Sequence, residues 1–129
     1  MPEPKWLSHD VLSAMHLELI REHGGSHGVR DHGLLDSALA RPRHKWSYGE
    51  ADVSALAVAY GFGLAKNHGY VDGNKRVAYM AMFVFLHLNG LDLVASEPDA
   101  VATMTDVAAG ALSEDELAGW IRTNTRPLS

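Results

Sequence analysis

Two stretches of this chain, residues 53–67 and 77–88, are apolar nearly all round, and only nine residues separate them. A helix without a polar face belongs in the middle of a bundle, so these stretches predict two central helices with the rest of the chain packed around them. Gly61 and Gly63 are poor helix formers, but they let a neighbouring helix approach closely. The intervening residues 68–76 (HGYVDGNKR) hold a histidine, a carboxylate, a glycine, an amide and two cations. That is a heavy load of chemistry for a turn between buried helices.

Helical signals recur on both sides. Val11, Leu12, Met15, Leu19 and Ile20 share a helical period, after Ser8 as a cap and before Gly24 and Gly25 as a stop. Asp31 opens a second helix through Leu34, Leu35, Ala38 and Leu39, predicted to end at Arg41-Pro42. Residues 42–52 lack a period and contain Pro, Gly and two aromatics, so they are expected to form a loop or short hairpin. Residues 91–95 suit a short extended link. Pro98 fits the first turn of a helix running to Gly110, and Ser113 with Glu116 is a capping box for a last helix. No repeat, linker or second domain is visible.

Composition narrows the setting. A chain of 129 residues with 47% hydrophobic and 21% charged residues predicts one folded domain burying roughly two-thirds of its unfolded surface. The formal net charge of −5 argues against a general nucleic-acid binder, which needs a basic field. With no cysteine, disulfides, a thiolate nucleophile and thiolate zinc sites are excluded. No apolar run approaches the roughly 18 residues of a membrane span, and the N-terminus lacks a signal pattern, so a cytoplasmic protein is expected.

The loop chemistry points to an anion. Asp72-Gly73-Asn74 is turn chemistry, with Gly73 suited to positive φ. The following helix starts near Asn74, which places Lys75 and Arg76 in its first turn. Two exposed cations there oppose the helix dipole at roughly 0.3–1 kcal/mol each. The arrangement becomes favourable when an anion such as a polyphosphate sits on the free N–H groups between them. Asp72 would repel those phosphates unless a divalent ion such as magnesium lies between. His68 can accept a proton from a hydroxyl near neutral pH, and Asn74 can donate to phosphate or orient the loop. Capping alone accounts for Asp72, Gly73 or Asn74, but not for the histidine or for two cations at the wrong helix end.

HGYVDGNKR resembles the signature H-x-F-x-(D/N)-(A/G)-N-K-R of the Fic/Doc fold, in its death-on-curing (Doc) toxin branch. GVRDHGLLDSALARPR and YGFGLAKNHGYVDGNKR are also similar to Doc-type sequences, so the resemblance covers nearly the whole chain. It implies an all-α, single-domain bundle of about six helices with an irregular or short β-hairpin flap. It further implies a toxin silenced by a cognate antitoxin. Fic enzymes that transfer AMP resemble H-P-F-x-(D/E)-G-N-G-R-x-x-R, whereas here Lys75 replaces the second glycine of that pattern and Tyr79 its last arginine. In the Doc branch that change goes with a reversed nucleotide presenting its γ-phosphate. The implied activity is an ATP- and Mg2+-dependent kinase that phosphorylates a threonine of elongation factor Tu and stops translation.

By the same resemblance His68 is the base, Asp72 the magnesium ligand, and Gly73, Asn74, Lys75 and Arg76 the phosphate grip. Residues 42–52 match the flap that aligns the target as an added strand, with Trp46 and Tyr48 placed to touch the peptide or, for one of them, the core. Tyr70 stands where Phe is common, and Gly69 where Pro is common, which should loosen the approach to His68. The chain has no (S/T)-x-x-x-E-(G/N) segment of the self-inhibiting kind, so control is expected from outside, by a disordered antitoxin segment folding over the site.

Two other functions compete: AMP transfer to a protein hydroxyl, and a non-catalytic module that binds a nucleotide or partner. Lys75 with Tyr79 argues against the first, and the intact His68, Asp72, Asn74, Lys75 and Arg76 set against the second. The remaining histidines suggest surface groups more than a metal site. His9, His16 and His23 recur every seven residues, about 10.5 Å apart on a helix, too far to share one ion.

Overall fold

The computed structural model describes residues 2–128. At its centre lie α3 (Val53–Asn67) and α4 (Asn74–Leu88), the two segments without a polar face. Leu56, Tyr60 and Leu64 of α3 and Met82, Phe85 and Leu86 of α4 are wholly buried. Around them run α1 (His9–His23), α2 (His32–Ser47), α5 (Glu97–Ala108) and α6 (Glu114–Thr123). The central α3 packs against α2, α4, α5 and α6, while α1 lies on α4. Gly61 backs onto Met82, where a Cβ would collide, and Gly63 onto Ala38, where a Cβ would fit only tightly, so the expected close approach is present on both sides of α3.

Local chemistry sets most helix starts. Ser8, Asp31, Asp52, Ser96 and Ser113 each accept a hydrogen bond from a backbone N–H of the helix they open. A cap of this kind stabilises a helix by about 1 kcal/mol. The capping box is complete: Ser113 Oγ accepts from Glu116 N at 3.1 Å and Glu116 Oε1 from Ser113 N at 3.0 Å. At the other end of the chain's fifth helix, α5 stops at Ala108 instead of Gly110.

The stretch 42–52 departs from expectation. Instead of a loop or hairpin, α2 continues through Pro42 to Ser47, and only residues 48–52 are irregular. A proline inside a helix removes one hydrogen bond and crowds the carbonyl four residues back, at roughly 3 kcal/mol. Tertiary contacts outweigh that cost. Pro42 is buried, and Arg41 donates to Ala59 O at 3.1 Å and to Glu114 Oε1 at 2.7 Å. Lys45 Nζ stands 3.1 Å from Glu114 Oε2, and Trp46 packs edge-on to Trp6 at 6.3 Å.

Residues 91–95 begin with a true strand. β1 (Leu91–Leu93) pairs antiparallel with β2 (Thr125–Pro127), Leu91 opposite Pro127 and Leu93 opposite Thr125. Nothing in the sequence had marked β2. Among the described residues no helix is long and apolar enough to cross a membrane.

Candidate active site

The loop from His68 to Gly73 joins the two central helices, and its backbone is held from three directions. His68 ends α3 with φ 50° and ψ 50°, the one non-glycine positive φ among the described residues. For an L-residue that conformation costs roughly 1–2 kcal/mol. Arg30 lies across it, Nε donating to His68 O at 2.6 Å and Nη2 to Asn67 O at 2.9 Å. The carbonyl of Gly69 accepts from Arg30 N at 2.8 Å and Asp31 N at 3.0 Å. Gly69 is buried, and a Cβ there would stand 2.5 Å from Leu35 Cδ2. Gly69 thus lies close against the Leu35 side chain of α2, and a residue with a Cβ would require that side chain to shift.

The next residues are gripped from behind. Tyr70 bridges Val29 in a short antiparallel ladder, with Arg30 N bonded to Gly69 O and Val71 N to Gly28 O at 3.0 Å. On its other side Tyr70 donates its N–H to Asn74 Oδ1, and Asn74 Nδ2 returns a bond to Tyr70 O, both at 3.0 Å. The Asn74 amide thus copies a neighbouring strand. It is buried, so of its two expected roles the side chain here orients the loop, and only its backbone N–H faces the site. The Tyr70 ring is buried and stacks on His16 at 3.7 Å with the planes 5° apart. Burial raises the Tyr70 phenol above its usual pKa of 10.0, with Ser13 opposing.

His16 overturns part of the surface-histidine expectation. It is only 5% exposed, and its Nε2 lies 2.8 Å from Asp72 O, which requires the Nε2–H tautomer as donor. His9 does sit at the surface, against Asp36, and His23 is exposed. Among the described residues no group of three histidines or carboxylates is placed to hold a metal.

What faces outward is the polar chemistry of the loop. His68, Asp72, Lys75 and Arg76 are all exposed, and neither cation forms an ion pair with a described residue. Gly73, at φ 77°, is the N-cap of α4 and gives it no side-chain cap. Its own N–H goes to Asp72 Oδ1 at 2.9 Å. The first intrahelical bond is Val77 N to Gly73 O, so the N–H groups of Asn74, Lys75 and Arg76 have no partner within the helix. Three free donors at the positive end of a helix dipole, with two cations, form an anion seat. The Asp72 carboxylate also accepts from Ser26 N at 3.3 Å and keeps lone pairs toward solvent, which fits a magnesium ion held by one protein carboxylate plus phosphate oxygens.

Of the aromatic pair expected at the flap, Trp46 takes the core-facing alternative and Tyr48 stays outside. Trp46 is helical and half-buried, while Tyr48 caps α2 with its side chain in solvent. The strand edge near His68 is instead the segment around Val29. In a bridge of this type the two residues' N–H and C=O groups point away from each other; those of Tyr70 meet Asn74, and those of Val29 meet no described group. Sequence reasoning missed Arg30, His16 and this edge. The text GVRDHG held two of the signals, but only contacts with residues near 70 give them meaning. Tyr79, where the AMP-transfer pattern has arginine, is half-buried; burial first and then the charge of Asp99 raise its phenol.

Comparison with known proteins agrees with this geometry. The toxin Doc of Mycolicibacterium smegmatis is 46% identical over 89 residues, 67% of this chain and 65% of the toxin's own length, just under two thirds of it. A protein named protein kinase doc, from Escherichia phage P1, is 28% identical over 117 residues, 90% of this chain and 92% of its own. Residues 6–86 match the sequence model of the Fic/DOC family. That span includes α1 to α3, most of α4 and the whole loop from His68 to Arg76, and by it the chain belongs to the Fic/DOC family.

Proposed function

We propose that this chain is the toxin of a toxin–antitoxin pair and works in the cytoplasm as a protein kinase, moving the γ-phosphoryl group of ATP to a threonine of elongation factor Tu. The observation that carries this reading is the unpartnered Lys75–Arg76 pair on three free N–H groups, beside an exposed imidazole on a held backbone. The two relatives, one named a toxin and one a protein kinase, support the same class.

In this mechanism the nucleotide's phosphates rest on the N–H groups of Asn74, Lys75 and Arg76, with both cations closing over them. Asp72 would hold a magnesium ion, which supplies neutralisation of the phosphate charge. His68 takes the proton of the threonine hydroxyl as its oxygen bonds to the γ-phosphorus. The bond from that phosphorus to the bridging oxygen breaks, and ADP leaves. The target chain adds as a strand along the open edge at Val29, close to the base, in place of the 42–52 flap. Silencing comes from a cognate antitoxin segment that orders over the same exposed charges.

ATP labelled on the γ-phosphate should mark elongation factor Tu in the presence of magnesium, and ATP labelled on the α-phosphate should not. Transfer of the α label, or a mass gain equal to AMP, would replace the kinase by an AMP transferase on the same base. No label from either, with tight nucleotide binding retained, would leave a binding module.

A further inference from the structure

The structure assigns a second task to Arg30: we propose that it is a positioning residue that holds His68 in the orientation from which it acts. The proposal rests on the reading of His68 as the base.

The backbone of His68, the C-cap of α3, is in a conformation that side-chain-bearing residues rarely adopt. The Arg30 guanidinium bridges the two consecutive carbonyls of Asn67 and His68, at 2.9 and 2.6 Å, and so fixes the peptide that turns the imidazole outward. Those carbonyls lie at the negative end of the α3 dipole, where a cation is favoured. A lysine offers one point charge and cannot match the fork. Arg30 is itself anchored: its N–H bonds to Gly69 O, and the flanking residues Val29 and Asp31 are tied to Tyr70 and to Gly69. Its guanidinium therefore approaches from a strand held to the loop it braces. Because Arg30 follows Val29, a target docked on the Val29 edge and the base share one support. Lys75 and Arg76 lie on α4, whereas the Arg30 guanidinium donates to the end of α3, so nucleotide binding should not depend on the brace.

The test uses Arg30→Ala, Arg30→Lys and Arg30→Gln, alone and combined with His68→Ala. Three readouts are needed: transfer of γ-label from ATP to protein in a bacterial extract, affinity for ATP with magnesium by calorimetry, and the His68 imidazole signal by NMR. Arg30→Ala should lower transfer by about 10²-fold, the scale of a small misplacement of a reacting group. Affinity for the nucleotide should be unchanged, and the His68 signal should shift and broaden. Arg30→Lys should recover part of the rate and Arg30→Gln less. In the His68→Ala background the Arg30→Ala loss should vanish, because the two act as a unit. An Arg30→Ala cost that persists in that background, or a loss of nucleotide affinity, would show that Arg30 acts elsewhere. Full transfer by Arg30→Ala while His68→Ala is inactive overturns the positioning role alone; full transfer by His68→Ala removes the base reading and this proposal together. If Arg30→Ala does not fold, Arg30→Lys carries the same comparisons: a wild-type rate with an unmoved His68 signal would sink the idea.

Discussion

Two turns join helices on either side of α3, and they are built to opposite plans. The segment 48–52 uses its own charges. Glu50 Oε2 accepts from Asp52 N, while Asp52 caps α3 through Ser54 N at 3.0 Å and pairs with Arg122 at 2.6 Å. Only the Tyr48 ring, 92% exposed, is left without a partner. The segment 68–73, with the first turn of α4, holds its backbone through Arg30, Asn74 and His16 and leaves His68, Lys75 and Arg76 free. A structural turn spends its charges on the fold. A site braces its backbone from behind, accepts one strained residue, and keeps its charges for a ligand.

That contrast can be broken at several points. The largest effect is expected at the free side. His68→Ala should lower transfer by roughly 10²–10⁴, the usual contribution of a general base, with the helical fold unchanged by circular dichroism. Cells arrested at the wild-type dose of the variant would refute the catalytic reading. Lys75→Ala should weaken ATP use by about 10–100-fold, the worth of one charge-assisted contact, without lowering the melting temperature. A lower melting temperature with unchanged ATP use would mean that Lys75 serves the fold, as the charges of 48–52 do.

The held side should respond in stability. Asn74→Ala strands the buried N–H and C=O of Tyr70 and should cost roughly 2 kcal/mol or more in urea unfolding. A variant as stable as the parent would show that water replaces the amide and that the loop is not gripped there.

The brace on the second half of α2 supplies a smaller effect with a pH signature. Burial pushes the Glu114 carboxyl up, but hydrogen bonds and charge from Arg41 and Lys45 outweigh it and hold the carboxyl below its usual 4.5. A depressed folded pKa stabilises above the unfolded value and is lost as pH falls through the folded one. Glu114→Gln should therefore lose about 1 kcal/mol at neutral pH, and the deficit should shrink below about pH 4.5. A deficit constant down to strong acid would assign it to packing. Smallest of all, Tyr48→Ala should change stability by less than about 0.5 kcal/mol, since its ring touches little. If Tyr48→Ala nevertheless weakens target labelling while altered Val29 does not, the target edge returns to residues 42–52.

Much of the fold was legible because its causes act within a few residues. The all-round apolar runs placed α3 and α4, the caps at Ser8, Asp31 and Ser113 placed three helix starts, and Gly73 marked the turn into α4. The chemical kinds gathered in HGYVDGNKR were also readable in order, as was the misfit of two cations at a helix N-terminus.

Tertiary structure alone decided the rest. Pro42 reads as a helix end, yet α2 passes it because Arg41 and Lys45 reach Glu114, 73 residues beyond Arg41. His16 looks like one of a spaced surface set, yet it is buried under a loop 56 residues away, where it binds Asp72 O. Asn74 has an amide that suits phosphate, yet Tyr70 takes it up. Arg30 shows no role until it meets the carbonyl of His68, 38 residues on. Periodicity and caps are local free energies of about 1 kcal/mol, and the sequence alone determined whatever they decide. Where burial and charge pairing between distant residues outweigh them, only the folded chain shows which side chains are held and which are left free to act.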